Sequence, residues 1–233
     1  MIENNILECQ GRIHEALARA GCPDRRVTLI AVTKNVPVKD ICQAVEAGIL
    51  DFGDNRVQEA LEKHSALQAY ASGKGLRLIR HMIGHLQTNK AGQAVGMFDL
   101  IHSVDSLKLA REIDKQALRL GKVQDMLLEV NVSQEKSKFG FSPQTLETEF
   151  EAVCGLRYVR VRGLMTVAPM AVDPQSARPV FRGLRLLKEK LERASNKALE
   201  FLSMGMSDDF EVAVEEGANM VRLGRAIFTQ GRP

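Results

Sequence analysis

The chain of 233 residues contains no tryptophan and only two tyrosines. Proteins that bind single-stranded nucleic acid stack the bases on aromatic side chains, and this sequence supplies few of them. Lys and Arg number 32 and Asp and Glu 29, so the net charge is +3, and the basic residues are scattered along the chain. Because a nucleic-acid surface needs a concentrated basic patch, the composition argues against that class of function.

Cysteine is also scarce, and its four copies form no recognisable motif. Cys9, Cys22, Cys42 and Cys154 include no Cys-x-x-Cys pair, which argues against a zinc site and against a disulfide framework. No apolar run approaches the length of a membrane span, and the first residues lack a basic leader followed by an apolar core. We therefore expect reduced thiols and a cytoplasmic protein without a membrane partner.

A regular alternation of short apolar runs and amphipathic segments fills the rest of the sequence. A helix is predicted over residues 3–20, because apolar side chains recur there at helical spacing until Gly21 and Pro23. Eight strand-then-helix units follow, with strands predicted at residues 27–33, 49–52, 77–83, 99–103, 125–132, 158–167, 200–204 and 220–223. The pattern predicts one α/β domain over residues 1–233, a (β/α)8 TIM barrel with an extra N-terminal helix. A doubly wound open sheet is the alternative, since alternation alone does not distinguish it from a barrel.

The first predicted strand leads into Lys34, on which the functional hypothesis rests. Residues 27–32 are uncharged and apolar or β-branched, as in a strand covered on both faces, and Pro37 ends the run because it has no N–H to donate. In a barrel the carboxyl ends of the strands carry the functional loops. A partly desolvated amine at that place loses its proton more readily and can condense with an aldehyde, whereas most lysines are simply solvated.

The last two strand ends have the features of a phosphate site. Ser203 and Ser207 flank a glycine ahead of a helix predicted to begin near Asp208, and Gly224 and Arg225 open another helical turn. Backbone N–H groups at helix starts favour anions, and barrels frequently bind phosphate in the loops after strands seven and eight. The two segments together predict a phosphorylated ligand.

An amine and a phosphate site on one rim suggest pyridoxal 5'-phosphate, whose aldehyde would form a Schiff base with Lys34. Arg222, near the end of strand eight, would then face the pyridine nitrogen. Because arginine stays protonated and only donates hydrogen bonds, that nitrogen would remain unprotonated and the ring would be a poor electron sink. This arrangement suits holding the cofactor, or racemisation at most, better than decarboxylation. The alternative for Arg222 is a salt bridge at the rim.

Blocks along nearly the whole chain resemble, in order, those of the pyridoxal phosphate homeostasis protein family. The blocks are AVTKNVP, FGDNRVQE, HMIGHLQTNK, HSVDS, LLEVNVSQEKSKFGF, RGLMTVAP and LSMGMSDDFEVAVEEGANMVRLGRAIF. The resemblance implies a barrel of fold type III, like the N-terminal domain of alanine racemase, with pyridoxal phosphate on Lys34. It places these residues around the cofactor: Asn55 near it, Ser203, Ser207 and the backbone of Gly224 and Arg225 at the phosphate, and Arg222 at the ring nitrogen.

One position departs from the family pattern. Arg225 stands where the family usually has a small Thr or Ser. A backbone N–H contact to phosphate would survive this change, whereas a hydroxyl contact would not. The residue therefore bears on how the phosphate is held and not on the role of Lys34.

The resemblance implies a role in vitamin B6 supply and homeostasis, without established catalytic turnover. We expect a monomer without catalytic residues that holds the cofactor and passes it on to apo-enzymes. The alternative is a pyridoxal phosphate-dependent amino-acid racemase. Two-base racemisation needs a second acid/base group, and neither Tyr70 nor Tyr158 lies at a predicted strand end, which favours the carrier. A third hypothesis is a phosphosugar-type barrel enzyme in which Lys34 forms an imine with its substrate. The family resemblance argues against this hypothesis.

Two other groups of polar residues have simpler interpretations. His81 and His85 could form a metal pair, but a metal site needs several ligands, so packing or hydrogen-bonding histidines are favoured and no metal is expected. Asp125 and Glu129 on strand five form no acid pair with any residue that the pattern places nearby. We assign them no role from the sequence.

Overall fold

The computed structural model describes residues 1–135 and 137–229, and its centre is a closed barrel of parallel strands that follow one another in chain order. The strands are β1 (Thr28–Val32), β2 (Asp51–Asp54), β3 (Ile79–Met82), β4 (Leu100–Val104), β5 (Gln124–Glu129), β6 (Val159–Met165), β7 (Phe201–Ser203) and β8 (Met220–Leu223). Pairing of β1 with β8, with Ile30 beside Arg222, closes the barrel. This pairing confirms the predicted barrel and excludes the doubly wound sheet.

Helices surround the barrel. They are α1 (Ile2–Arg19), α2 (Val38–Glu46), α3 (Val57–Gly73), α4 (Ala91–Met97), α5 (Leu107–Arg119), α6 (Pro143–Cys154), α7 (Arg178–Ser195), α8 (Phe210–Glu215) and α9 (Arg225–Phe228). The extra helix α1 precedes β1, as predicted. Among the described residues, no helix combines the length and the apolar character that crossing a bilayer requires.

Local sequence signals account for several helix boundaries. The hydroxyl of Ser106 accepts a hydrogen bond from the Leu109 N–H at the start of α5, which satisfies one of the otherwise unpaired donors of the first turn. Ser142 caps α6 in the same way, and Pro143 occupies its first turn, where a missing N–H costs nothing. At the other end, α7 stops at Asn196, which adopts a left-handed conformation with φ 54°.

The segment after β3, where the alternation predicts one helix, is divided into two. A 3₁₀ helix, Thr88–Lys90, comes first and α4 follows it. The short 3₁₀ turn lets the chain leave the barrel rim before the longer helix packs, a common use of such turns. Leu86 is buried just ahead of the turn, so the apolar spacing that predicted a helix here reflects core packing on both sides of the break.

The core occupies two separate volumes. The larger lies between the strands and the surrounding helices, where the outward side chains of the strands meet the apolar faces of α1 to α8. A smaller cluster fills part of the barrel interior and consists of Ile30, Leu100, Leu127, Met165 and Met220. Since side chains alternate along a strand, residues two positions beyond these also face inward. This alternation places Arg222 and Glu129 inside the barrel near its carboxyl-terminal rim.

Candidate functional site

Two cavities meet at Lys34 on the carboxyl-terminal rim of the barrel. One, of about 610 Å³, is bounded by Lys34, Ser207, Arg222, Gly224 and Arg225. The other, of about 500 Å³, is bounded by Lys34 and by the loops that follow β2 and β3. Both volumes suit a small-molecule ligand. The predicted amine, arginine and phosphate loop therefore share one cavity wall, although they come from opposite ends of the sequence.

Lys34 lies two residues beyond the end of β1, in a turn, and its side chain is exposed. This exposure differs from the partly desolvated amine that the sequence predicted. Residues 30 and 31 are enclosed within the strand, whereas residue 34 lies in the turn beyond it. The amine is accessible from both cavities, which is the position that a nucleophilic lysine at a barrel mouth requires.

Two side chains of α3 hold the turn that carries Lys34. The Lys63 ammonium donates to the carbonyl oxygen of Thr33 (2.7 Å) and to Glu59 (2.6 Å). Glu59 in turn accepts the backbone N–H of Asn35 at 2.7 Å. Asn35 has φ 57°, a left-handed conformation that Asn tolerates better than most residues. The main chain is thus fixed on both sides of Lys34.

Asn55 lies next to Lys34 on the wall of the 500 Å³ cavity. Its Oδ1 atom is buried and has no hydrogen-bond partner among the residues that the structure describes. Gly84 makes the close approach of the Asn55 backbone possible, because a Cβ on residue 84 would lie 2.3 Å from the Asn55 carbonyl oxygen. An unsatisfied buried acceptor is costly, so this side chain is suited to a polar ligand.

Arg222 is almost fully buried, yet it forms part of the wall of the 610 Å³ cavity. Its Nη1 donates to the Ser203 hydroxyl (2.6 Å) and its Nη2 to the Thr166 carbonyl oxygen (2.9 Å). Burial lowers the pKa of Arg222 to about 10, while Glu129 and Asp209 oppose that shift. The guanidinium is fixed in position and forms no salt bridge with the residues that the structure describes, so its remaining N–H groups can donate to a neutral acceptor.

The loop between β7 and α8 and the turn after β8 form the predicted phosphate region. Gly205 has φ +94°, and a Cβ there would lie 2.6 Å from the Cβ of Ala213, so only glycine fits this turn. The Ser207 hydroxyl accepts the N–H of Ala226 at 3.2 Å and joins the two segments. The Arg225 side chain turns outward to pair with Asp208. At the start of α9 the groups that can contact a phosphate are therefore those of the backbone.

Ser203 occupies a different place from the one predicted. Its side chain is fully buried, below Arg222, where its hydroxyl contacts the Arg222 guanidinium and lies 2.9 Å from His102 Nδ1. Ser207, four residues later, reaches the cavity wall. The structure therefore separates the two serines that the sequence grouped together, because β7 ends at Ser203 and the next residues climb to the rim.

Glu129, to which the sequence analysis assigned no role, lies close to the site. Burial and the nearby Asp105 raise its pKa to about 7, and Arg222 opposes the shift. Asp209 behaves similarly: burial raises its pKa, and a hydrogen bond from the Met206 N–H opposes this. A period-2 reading of β5 from Leu127 would have placed Glu129 on the inner face, but its neighbours on other strands could not be inferred that way.

The histidines follow the hydrogen-bonding interpretation. His81 contacts His102 (2.9 Å) and Asp51 (3.0 Å) inside the barrel. His85 pairs with Asp105 at 3.2 Å and stacks on Phe139 with 3.6 Å between ring centroids, beside the 500 Å³ cavity. Within the two described stretches, no three His, Cys, Asp or Glu side chains are grouped as metal ligands.

Comparison with known sequences identifies close relatives. The family model for the alanine racemase N-terminal domain matches residues 14–231. The pyridoxal phosphate homeostasis protein of Aquifex aeolicus (strain VF5) is 46% identical over 217 residues, which cover 93% of this chain and 92% of the relative. The protein of the same name from Pseudomonas aeruginosa is 40% identical over 227 residues, or 97% and 94% of the two chains.

A solved structure shares both the fold and the sequence. PipY of Synechococcus elongatus PCC7942, determined with PLP bound, superimposes with a TM-score of 0.80 at 38% identity. The match covers 93% of this chain and 99% of PipY. Similarity of this extent confirms that the barrel described above is of fold type III.

Proposed function

The chain belongs to the family of the alanine racemase N-terminal domain and to the pyridoxal phosphate homeostasis proteins, and from this premise we propose that it carries pyridoxal 5'-phosphate as a Schiff base on Lys34. The protein binds pyridoxal phosphate and acts in its homeostasis. The observation that supports the assignment to Lys34 is the cavity in which this amine, Arg222 and the Ser207 loop meet.

The residues of the cavity match the groups of the cofactor. Lys34 supplies an accessible primary amine for the aldehyde, and Arg222 supplies fixed N–H donors for the ring nitrogen. Ser207 with the backbone of Gly224 and Arg225 faces the same cavity and suits the phosphate. Asn55 brings a buried Oδ1 that lacks a partner among the described residues. The donor set and the cavity size therefore fit pyridoxal phosphate.

When bound, the cofactor supplies an electrophilic aldehyde and a conjugated ring that can delocalise electrons. Arg222 would limit the second property, because a guanidinium that donated to the ring nitrogen would leave no proton on it. Glu59 and Lys63 hold the turn around Lys34, which orients the amine at the rim. The residues of this chain thus favour holding and releasing the cofactor over stabilising carbanions on it.

A racemase remains the second candidate, since the matched family model is that of the alanine racemase N-terminal domain. Two-base racemisation needs an acid/base side chain on each cofactor face. Both tyrosines lie within the described residues. Tyr70, near the end of α3, donates a hydrogen bond to Glu46, and Tyr158 lies just before β6. Neither bounds the two cavities that meet at Lys34, which supports the carrier.

We further infer a cytoplasmic location, a monomeric state and transient delivery of the cofactor to apo-enzymes. Reversibility of the bond to an accessible amine supports delivery, because water or another amine can reach Lys34 from the open cavities. The four cysteines form no disulfide, which suits a reducing compartment.

Mass spectrometry of borohydride-reduced protein tests the proposal. The protein loaded with pyridoxal phosphate should carry the reduced pyridoxyl group on Lys34, and Lys34→Ala should lose it while Lys39→Ala, an exposed lysine nearby, keeps it. An unlabelled Lys34 peptide would overturn the assignment. A transfer assay to an apo-enzyme then tests delivery, and racemisation of an amino acid that Lys34→Ala abolishes would establish the enzyme instead.

A further inference from the structure

A continuous chain of hydrogen bonds crosses the barrel interior from Arg222 to Asp51. Arg222 Nη1 donates to Ser203 Oγ (2.6 Å), and Ser203 Oγ lies 2.9 Å from His102 Nδ1. His102 Nε2 lies 2.9 Å from His81 Nδ1, and His81 Nε2 lies 3.0 Å from Asp51 Oδ1. The interior of such barrels is normally filled with branched apolar side chains, so a polar chain through it requires an explanation.

The chemistry of its ends sets the direction of this chain. Arginine can only donate, and an ionised carboxylate can only accept. After accepting from Arg222, Ser203 has its own proton for His102 Nδ1. His102 then carries its proton on Nε2 and donates to His81, and His81 donates from Nε2 to Asp51. In this arrangement both imidazoles are neutral and every link has one donor and one acceptor.

Burial enforces the arrangement. His102 and Ser203 are fully buried and His81 is 1% exposed, so a reversed link would leave a donor or acceptor unpaired in a region that water does not reach. Burial, together with His81 and Arg222, lowers the pKa of His102 well below its usual value. That shift keeps His102 neutral at physiological pH.

We propose that Asp51, His81, His102 and Ser203 are positioning residues for Arg222, so that the carboxylate at the amino-terminal rim of the barrel helps to orient the guanidinium at the cofactor site. The inference rests on the proposed function, in which Arg222 meets the ring nitrogen. Without the anionic acceptor at its far end, the series of hydrogen bonds loses its single direction. Ser203 Oγ, which accepts from Arg222 Nη1, is then held less firmly.

Other charged groups around these residues bear on the test. Arg222 also faces Glu129 on β5 and Asp209 after β7. Asp51 is 24% exposed on its side chain and borders a cavity of about 440 Å³ that also includes His14 of α1. Asp125 is a matched control, because it is 26% exposed, lies near the start of β5 and pairs with Arg162 instead of a histidine.

Nitrogen NMR of the histidine rings tests the direction of the chain without any cofactor. In the full-length protein both His81 and His102 should carry the proton on Nε2, as the hydrogen-bond direction requires. In Ser203→Ala, His102 Nδ1 loses its donor, and its resonance should move while that of His14 stays. A proton on Nδ1 of His102 in the wild-type protein would overturn the proposal.

Binding of pyridoxal 5'-phosphate to a double-mutant cycle tests the coupling. Asp51→Asn should weaken binding by about fivefold, the effect of one hydrogen-bonded contact, but should change it less than twofold when Ser203→Ala is already present. Asp125→Asn removes the same charge but alters none of the hydrogen bonds between Arg222 and Asp51. The affinity should stay unchanged or rise slightly, since the cofactor is an anion.

The sign of the change in affinity distinguishes an action of Asp51 through the hydrogen bonds from an action of its charge through space. Unchanged or tighter binding by Asp51→Asn, or equal effects in both backgrounds, would mean that Asp51 acts through space or not at all, and would overturn the coupling. Borohydride reduction of each variant mixed with pyridoxal 5'-phosphate, followed by detection of the pyridoxyl group on Lys34, shows whether the Schiff base itself forms. Absence of label at Lys34 in the wild-type protein would overturn the proposed function. The NMR result on His81 and His102 would still test the direction of the hydrogen bonds from Arg222 to Asp51.

Discussion

The ammonium of Lys63 lies 2.7 Å from the carbonyl oxygen of Thr33, the residue immediately before Lys34. The same ammonium lies 2.6 Å from Glu59, which accepts the N–H of the residue immediately after Lys34. A pair of charges on α3 therefore fixes the backbone on either side of the candidate nucleophile. Orientation of a reacting group is a recognised source of rate enhancement, so this pair bears on how fast Lys34 reacts.

Replacing Lys63 by Met should slow Schiff-base formation. The substitution removes the hydrogen bond to Thr33 and leaves Glu59 without its partner, so the turn around Lys34 can relax. We expect a rate constant about tenfold lower, which corresponds to the ~1.4 kcal/mol of one charged hydrogen bond. Stopped-flow absorbance after mixing with pyridoxal phosphate measures it.

Lys188→Met is the control for that experiment. Lys188 forms an equivalent pair with Glu192 on α7 (2.9 Å), with a side-chain exposure of 20% against 14% for Lys63. Equal rates for the two variants would show that the contact to Thr33 has no part in positioning Lys34.

Gly205→Ala should destabilise the protein and weaken phosphate binding. The new Cβ would need φ +94° and would lie 2.6 Å from the Cβ of Ala213. Gly48→Ala provides the comparison, because residue 48 has φ +88° with no atom within 4 Å of the added Cβ. The backbone conformation alone should cost about 1–2 kcal/mol, and the overlap at residue 205 should add about 1–3 kcal/mol.

Urea unfolding measures the free energy of unfolding of both variants, and titration with pyridoxal phosphate measures the affinity of each variant that folds. If Gly205→Ala and Gly48→Ala lose equal stability, the loop can shift to accommodate a side chain, and its tight packing against α8 is not required.

Glu129 should make stability depend on pH. Its pKa in the folded protein is about 7, above the ordinary value near 4.5, so between these values the folded state binds a proton that the unfolded state has released. The contribution of this carboxyl is fully present below about pH 4.5 and decreases as the pH rises to about 7. The loss above pH 7 is on the order of 3 kcal/mol at most.

Glu129→Gln stays neutral and should therefore be more stable than the wild-type protein at pH 8 and similar to it at pH 4.5. Urea unfolding at both values gives the difference, and Glu8→Gln, on the exposed side of α1, is the control for a generic charge effect. A constant difference across this range would contradict the raised pKa.

Arg225→Ala should change the affinity for pyridoxal phosphate by less than threefold, because its side chain pairs with Asp208 and its backbone is retained. Ser207→Ala removes a hydroxyl from the cavity wall and should weaken binding by about tenfold or more, as expected for a hydrogen bond to a charged group. The opposite order, measured by absorbance titration, would assign the phosphate contact to the Arg225 guanidinium.

Local patterns in the sequence predicted the alternation of strands and helices and which residues follow each strand, whereas the pairing of β1 with β8 excluded the open sheet. The uncharged run before Lys34 predicted a covered strand, and Gly205 and Gly224 marked the turns after β7 and β8. Period-2 alternation also places Glu129 on the inner face of β5. These features depend on residues close together in the chain, which is why they can be read without coordinates.

The tertiary structure alone decided which of those residues touch. Ser203 and Ser207 lie four positions apart, yet closure of the barrel puts one beneath Arg222 and the other on the cavity wall. Lys34 is exposed because it lies in the turn beyond β1. The hydrogen bonds from Arg222 to Asp51 join five strands, and the pairing register of these strands sets every link. Sequence periodicity determines which face of its own strand a side chain takes. Its neighbours across the barrel depend on strand tilt, register and closure, which no local pattern contains.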